Sequence, residues 1–330
     1  EKKLRIAAFL ALVIRRARGW LLSDKKNIYK RNKIFWNLSI GIPSQYYREL
    51  GIRDDFRDIC IAAWNAANHD GLINRKIIKN FLSKTTINLT PADADYAEIE
   101  VVPEIAAQIY GFVVSKGFDK NAKNIYLMAD VGAGTLDASL FHVTQARAGR
   151  WNFEFFTSVV EPHGTVNLHR FRINWWEDKL IKSNAPKYLL DALKESKNIS
   201  DQQDFIPESY KNYFSGVDIH KLDPKKNPDE CFYKKILSQV RGYTYLGAAK
   251  ELLLSKEELL KIPFFLCGGG ARMKYYSRIE ESLATGMHGF SYLKTERYTL
   301  AKPKNLEAPG IDLEDYDRLS VAYGLSCLDI

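Results

Sequence analysis

The sequence has little of what zinc sites and disulfide-stapled folds require. Its 330 residues include only four cysteines, which are far apart: Cys60, Cys231, Cys267 and Cys327. They form no Cys-x-x-Cys pair and have no histidine at ligand spacing, so the pattern argues against a zinc site. Free thiols are typical of a reducing compartment, and we predict a cytoplasmic protein.

Long apolar runs are also lacking. Residues 4–22 have basic ends and an apolar centre, and this apolar run is far shorter than the roughly 20 residues that a helix needs to cross a bilayer. A signal peptide would place small residues after the apolar part, where this chain has Arg15, Arg16 and Arg18. We therefore predict an amphipathic helix packed on a core, with its arginine side in water, and no membrane partner.

The composition is that of a globular protein, with 46% apolar and 12% aromatic residues. A chain of this length forms one large or two ordinary domains. The formal net charge is +8, from 48 basic and 40 acidic residues. Spread over the whole chain, such an excess indicates a solvated surface, and no nucleic-acid recognition motif accompanies it. We expect no nucleic acid as a partner.

The first candidate site is a glycine turn between two apolar runs, at residues 130–137. It contains Asp130, Gly132, Ala133, Gly134, Thr135 and Asp137. The pattern predicts a β-hairpin, because a tight glycine turn joins two strand-like runs. Its tip can bring backbone N–H groups close to phosphate oxygens, with Thr135 as a further donor. Asp130 is placed to hold a hydrated Mg²⁺. The alternative is an ordinary Asp/Gly hairpin turn.

A second glycine turn follows another apolar run, at residues 262–267. It contains Gly268, Gly269, Gly270 and Arg272, and a helix is predicted to begin near Lys274. Three glycines between a strand and a helix let a base or ribose lie against the backbone. Arg272 carries a guanidinium that can stack on a purine. The alternative is a flexible turn.

The remaining pattern alternates strands and helices, which predicts the α/β class. Strands are predicted at 34–42, 98–102 and 151–160, and helices at 54–68, 74–83, 103–115 and 234–254, the last bent near Gly242 and Gly247. Residues 84–96 and 221–230 are predicted loops, and a closing helix lies within 312–330. Ala106, Ala107 and Gly111 are small enough for close helix packing. The Trp175–Trp176 pair is more typical of a core than of a ligand platform.

The order of these motifs resembles the nucleotide-binding domain of the actin-like ATPase superfamily, nearest to the DnaK-type heat-shock chaperones. The resemblance covers roughly residues 34–165 and 262–330. It implies a two-lobed, ribonuclease H-like α/β fold with mixed sheets flanked by helices and an incomplete first lobe. The implied domains are 1–117 for lobe I, 118–165 with 262–310 for inner lobe II, 166–261 for its helical outer part, and 311–330 for the second crossing helix.

The resemblance also implies ligands and roles. Adenine nucleotide (ATP or ADP) with Mg²⁺ is the expected ligand. Asp130 would position the metal and water, and Asp137 would help to hold a cation. Gly132, Ala133, Gly134 and Thr135 would form a phosphate loop, and Gly268, Gly269, Gly270 and Arg272 the adenosine loop.

Two family features do not appear in the sequence. The first phosphate loop, Asp-x-Gly-Thr, and the catalytic lysine are expected upstream of Glu1. The family's catalytic glutamate aligns with Val102, near Glu100 and Glu104. The implied function is a slowly hydrolysing ATPase that acts as a conformational switch. The alternatives are a nucleotide-binding pseudo-ATPase, an actin-like filament protein, or a small-molecule kinase.

Overall fold

The structure, a computed structural model, describes most of the chain and has mixed α/β architecture. The residues it describes are 1–83, 96–146, 149–197, 205–214, 227–285, 294–304, 306–312, 316 and 319–327. The chain divides into two compact units, Glu1–Glu104 and Ile105–Ile330.

The first unit is a helical layer on a two-stranded parallel sheet. Its elements are α1 (Lys2–Asp24), α2 (Lys26–Tyr29), β1 (Trp36–Ile42), α3 (Ser44–Tyr47), α4 (Leu50–Asn68), α5 (Arg75–Ser83) and β2 (Ala97–Pro103). β1 and β2 pair with Leu38 opposite Ile99. The alanines of α4 and the inner side of α1 form its core, because small residues let the two helices approach closely.

The predicted N-terminal helix is confirmed as α1, with Ala7, Ala11 and Ile14 buried. Its predicted arginine side in water is only partly correct. Arg15 donates hydrogen bonds to main-chain carbonyls at the end of α4 and just beyond it, including that of Ala67 at 3.0 Å. Arg18 stacks on Trp36 and Trp64 at 4.9 and 5.0 Å. The last carbonyls of a helix have no partner within it, so the inward Arg15 supplies donors to those at the end of α4.

The second unit is built on a five-stranded mixed sheet. Its elements are α6 (Glu104–Val113), β3 (Ile125–Val131), β4 (Leu136–Gln145), β5 (Trp151–Glu161), α7 (Thr165–Lys182), α8 (Lys187–Glu195), α9 (Pro228–Leu237), α10 (Leu246–Lys250), β6 (Pro263–Cys267), α11 (Lys274–Ala284), β7 (Glu296–Tyr298) and α12 (Ser320–Cys327). The strand order is β5-β4-β3-β6-β7. β4 is antiparallel to β3 and β5, whereas β6 is parallel to β3 and β7.

Both faces of this sheet are covered. Leu127, Ala129 and Val131 of β3 join a core that includes residues of α7, α9 and α11. The alternate residues Tyr126 and Met128 join a second core that includes α6. A strand covered on both sides is apolar throughout, which explains why residues 125–129 form an unbroken apolar run.

Helices α6 and α12 pack at very short range, as their small residues predict. A Cβ added at Gly324 would overlap the carbonyl oxygen of Ala107. A Cβ at Gly111 would lie 2.7 Å from the Tyr316 hydroxyl. Glycine at these positions is therefore required by the packing rather than by backbone conformation.

Several predicted boundaries differ from those observed. Helix α4 begins at Leu50, and Pro103 ends β2 instead of opening α6. The helix predicted over 234–254, interrupted or bent near Gly242 and Gly247, is three segments: α9, a π-helix at Ser238–Tyr245 that contains Gly242, and α10. The predicted loop residues 84–95 and 221–226 lie outside the described residues.

The helical part between β5 and β6 is anchored by a buried ion pair. Arg172 is fully buried, and its Nε donates to Asp229 at 2.6 Å. Its other nitrogens donate to the carbonyls of Pro207 and Glu208. Trp176 is buried against Trp175 in a separate small core, which confirms the prediction of a core role. Among the helices described, none is long and apolar enough to cross a membrane.

We predict that Arg172→Leu lowers the free energy of unfolding by about 3–5 kcal/mol, because it leaves Asp229 buried without its counter-charge. Arg170→Leu is the matched control, since Arg170 is an exposed residue of the same helix. Urea denaturation of the two variants measures the difference. Equal stability would show that the buried pair contributes nothing beyond a surface arginine.

Candidate functional site

The two glycine turns are neighbours in the second unit. Strands β3 and β6 are adjacent and parallel, with Asp130 opposite Cys267. The turns that follow them therefore leave the same edge of the sheet. Gly268 has φ +84°, and a Cβ there would overlap Oδ1 of Asp130. The Asp130 carboxylate thus lies directly against the second glycine turn, with no room for a side chain between them.

Helix α7 holds the carbonyl groups of the hairpin tip. The N–H groups of Thr165 and Val166 donate to the carbonyls of Gly132 and Ala133, at 3.1 and 2.8 Å. The carbonyl of Gly134 accepts from the N–H of Gly164 at 3.3 Å and from the Asn167 side chain at 2.5 Å. The first N–H groups of a helix have no partner within it, so the tip supplies their acceptors. Three successive carbonyls of the tip are fixed toward α7.

Most N–H groups of the same tip, unlike its carbonyls, make no hydrogen bond to the described residues. Gly132 N–H donates to the Thr135 carbonyl at 2.9 Å. No hydrogen bond between described residues uses the N–H of Ala133, Gly134 or Thr135, and these three residues are exposed. Successive free N–H groups in a turn form a concave anion-binding surface. The tip therefore offers donors suited to phosphate oxygens.

Two carboxylates lie beside this tip. Asp130 and Asp137 are directly opposite each other in the β3–β4 ladder, so their side chains share one face. Directly opposed residues have Cβ atoms about 5 Å apart, and like charges there repel. Asp137 is buried and accepts a hydrogen bond from the Ser139 hydroxyl at 3.3 Å. A hard divalent cation prefers such oxygen ligands, so the residues present fit a hydrated Mg²⁺.

The turn before α7, at Gly164 and Thr165, lies against both glycine turns, although the sequence did not assign it to the site. A Cβ on Gly270 would meet side-chain carbons of Val131 at 2.5 Å and Thr165 at 2.6 Å. A Cβ on Gly164 would lie 2.5 Å from the Ala133 carbonyl oxygen. Gly164 and Thr165 therefore connect both glycine turns. The Gly-Thr pair at the start of a helix was the available signal in the sequence.

Arg272 lines a cavity of about 430 Å³ at the end of β6, together with Cys267, Glu280 and Tyr316. This volume lies within the range of roughly 300–1,000 Å³ that is usual for small-molecule pockets. Burial raises the pKa of Glu280, while Arg297, 3.0 Å away, acts in the opposite direction. Arg272 is exposed, and the cavity that it lines includes neither Asp130 nor the glycines of the two turns.

The π-helix supplies one buried side chain that braces the site. Gln239 Nε2 donates to the carbonyls of Leu136 and Val159 at 2.7 and 2.9 Å. Its Oε1 lies 2.7 Å from Nδ1 of His163. Because both amide hydrogens are used, His163 Nδ1 is the donor in this contact. Gln239 therefore ties the first residue of β4 to the turn before α7.

Val102, the position where the sequence resemblance implies a catalytic glutamate, lies in the first unit. Val102 is a buried residue of β2 and carries no ionisable group. Side chains alternate along a strand, so Glu100 lies on the same face two residues earlier. Glu104 is adjacent to Gly41, where an added Cβ would lie 2.6 Å from its Cγ. Neither glutamate occupies the Val102 position itself.

No model of a known protein family matches the chain, and no curated protein matches it. The case for a function therefore depends on the residues and contacts of the site.

We predict that Gln239→Leu speeds amide hydrogen exchange by at least about tenfold at the hydrogen-bonded amides around the tip, those of Gly132, Thr165 and Val166. The substitution leaves two buried carbonyls and His163 without their partner, which costs about 1–3 kcal/mol for each buried group. Gln145→Leu is the control, because Gln145 is an exposed residue at the far end of β4. Unchanged protection in Gln239→Leu would contradict a bracing role.

Proposed function

We propose that the chain is a nucleotide-binding domain of the actin-like ATPase type, nearest to the DnaK-type heat-shock chaperones. In this proposal it binds ATP with Mg²⁺, hydrolyses it slowly, and acts as a nucleotide-driven conformational switch. The observation that carries the proposal is the direct contact between Asp130 and the Gly268 turn. Residues separated by more than 130 positions in the sequence would then bind parts of one ligand.

The sheet topology supports the proposed fold. On one side of the central strand β3 lies β4, which is antiparallel to it, and then β5, which is antiparallel to β4. On the other side lie β6 and β7, both parallel to β3. This arrangement is compatible with a ribonuclease H-like lobe. The two-lobed actin-like assembly, with the incomplete first lobe in the Glu1–Glu104 unit, is part of the proposal.

Each residue of the site has a role in this proposal. The N–H groups of Ala133, Gly134 and Thr135 donate to phosphate oxygens, and Asp130 orients a water or a metal-bound water. Asp137 adds negative charge for the cation, which supplies charge neutralisation on the phosphates when it is bound. Gly269 leaves space for the nucleoside, Gly268 and Gly270 let the adenosine loop pack against Asp130 and Val131, and Arg272 stacks on the base.

The protein contribution is positioning and charge stabilisation. Phosphoryl transfer to water needs an attacking water in line with the leaving group and donors around the transferred phosphate. The tip donors are fixed before a ligand arrives, because α7 holds the tip carbonyls.

A pseudo-ATPase is the second candidate, and Val102 favours it. A buried valine cannot assist proton transfer where the family has glutamate. Calorimetry and phosphate release on the same preparation distinguish the two candidates. Binding of Mg²⁺–ATP with phosphate release supports an ATPase, whereas binding without release supports the scaffold.

We place this activity in the cytoplasm, where ATP is abundant and thiols stay reduced. All four cysteines are free. Burial raises the pKa of the Cys60 thiol to about 12, so this group is unreactive at neutral pH. Adenine nucleotide is the proposed ligand, and a client or partner protein would read the switch.

We predict that Asp130→Asn weakens Mg²⁺-dependent ATP binding by at least about tenfold, equivalent to 1.4 kcal/mol, without unfolding the protein. The amide keeps the size of the carboxylate but removes the charge that orients a cation. Asp191→Asn, at an exposed position of α8, is the control. Isothermal titration with and without Mg²⁺ measures the effect. Unchanged affinity would remove Asp130 from the site.

We predict that Arg272→Ala reduces the preference for ATP over GTP, because stacking on the purine holds the base in its selective position. The exposed Arg170→Ala serves as the control. Competition binding of the two nucleotides measures the ratio. Equal affinity of the parent protein for ATP and GTP would count against this role of Arg272.

A further inference from the structure

The positive charge of this chain is concentrated at one end. Residues 1–33 contain 11 lysines and arginines and two acids, a net charge of +9. The remaining residues contain 37 basic and 38 acidic side chains, a net charge of −1. The overall excess of +8 is therefore a property of α1, α2 and the segment that leads into β1, rather than of the whole surface.

Some of these cations have structural partners. Arg15 and Arg18 turn toward the core of the unit, and Lys3 pairs with Asp55 at 2.6 Å. The others are exposed to solvent: Lys2, Arg5, Arg16, Lys25, Lys26, Lys30, Arg31 and Lys33. Of these eight, Arg5 is 3.7 Å from the exposed carboxylate of Glu1. A long ion pair at such high exposure neutralises little of the positive charge of this segment.

The outward side of α1 is apolar and aromatic. Residues 6, 9, 13, 16 and 20 follow helical spacing, so Ile6, Phe9, Val13 and Trp20 form a stripe around Arg16. Phe9 is 66% exposed and Trp20 is 54% exposed. They lie opposite the buried side formed by Ala7, Ala11 and Ile14. Leu12, also largely exposed, flanks the stripe. We call Ile6, Phe9, Leu12, Val13, Arg16 and Trp20 the outer face of α1.

Cations and rings are interleaved along this region. Lys25 lies 5.5 Å from the ring centre of Trp20, and Lys33 lies 5.2 Å from that of Phe35. Phe35 and Ile28 are themselves largely exposed. Basic residues flanking exposed Trp, Phe and Leu are the pattern of helices that lie in the interface of an anionic bilayer. Clustered Lys and Arg each add roughly 1 kcal/mol of attraction to such a surface.

We propose that the outer face of α1 docks on the surface of an anionic phospholipid bilayer, with the helix axis parallel to the membrane plane. Phe9, Leu12, Val13 and Trp20 enter the interfacial layer, and the exposed cations contact lipid phosphates. The helix is about 35 Å long, from 23 residues at about 1.5 Å each. This proposal does not rest on nucleotide binding, and it replaces our expectation that no membrane is a partner.

Two observations favour a bilayer over nucleic acid. Five of the six residues of the outer face are apolar, with Arg16 as the exception, whereas protein surfaces that bind nucleic acid present mainly cations and polar donors to the phosphates. Helical spacing puts Arg5 and Arg16 on the same side of α1 as the apolar residues, and Lys25 lies over Trp20, so these cations reach headgroups when the apolar residues are inserted. A bilayer satisfies both parts of the surface at once, because it offers hydrocarbon beneath a layer of phosphate.

The test is co-sedimentation of the protein with vesicles of phosphatidylcholine alone, or of phosphatidylcholine and phosphatidylserine in equal parts. We expect binding to the anionic vesicles and at least tenfold weaker binding to the neutral ones. High salt should weaken binding to the anionic vesicles, because it screens the cations. The double variant Phe9→Gln/Trp20→Gln should bind anionic vesicles at least tenfold more weakly. Both side chains are mostly exposed, so the fold should tolerate the change.

Tyr188→Gln/Leu252→Gln is the matched control, with an aromatic and an aliphatic residue at 70% and 90% exposure in the other unit. Its binding should equal that of the parent. The proposal is overturned if neither vesicle binds, or if the Phe9/Trp20 variant binds as well as the parent. Binding to duplex DNA without binding to vesicles would assign the face to nucleic acid. A dimer that dissociates in the Phe9/Trp20 variant, without vesicle binding, would assign it to a second copy.

Discussion

The candidate site depends on the pairing of β3 with β6. The two strands are parallel neighbours, so the turns after them emerge side by side. Gly268 adopts a positive φ, and its missing side chain leaves the place that the Asp130 carboxylate occupies. Any larger residue at this position would have to displace the acid or break the end of the pairing. One close contact thus joins two distant parts of the sequence into one surface.

The second constraint is how the hairpin tip is held. Glycine turns are intrinsically mobile, and a mobile turn loses conformational entropy when it binds an anion. Here the start of α7 binds the tip carbonyls, and Gln239 and His163 brace the adjoining strand ends. The N–H groups of the tip are consequently oriented before any ligand arrives. This preorganisation is the physical basis on which we prefer an anion-binding role over an ordinary hairpin turn.

The first unit differs from the second in the residues that form its core and its surface. Its core is made of small residues on α1 and α4, and its arginines divide between the inside and the surface. A helix that is apolar on more than one side has more apolar surface than one core can cover. On α1 the surplus lies outward, beside the densest positive charge of the chain. The candidate site and the outer face of α1 therefore belong to separate units and can be tested separately.

The sequence alone determined the elements and the chemistry of the turns. Alternating apolar runs and glycines gave β3, β4, β6 and α11 near their observed bounds, because local periodicity and backbone freedom act over a few residues. It also indicated the tight packing at Gly111 and the α6–α12 crossing, since small side chains have few other uses in a helix. It did not indicate which way the arginines of α1 face, or that Gln239 reaches the β4 and β5 carbonyls from a π-helix. Those features, and the meeting of Asp130 with Gly268 and of Thr165 with Gly270, were decided by the tertiary structure, because contacts between distant residues depend on strand order and helix packing that no local pattern encodes.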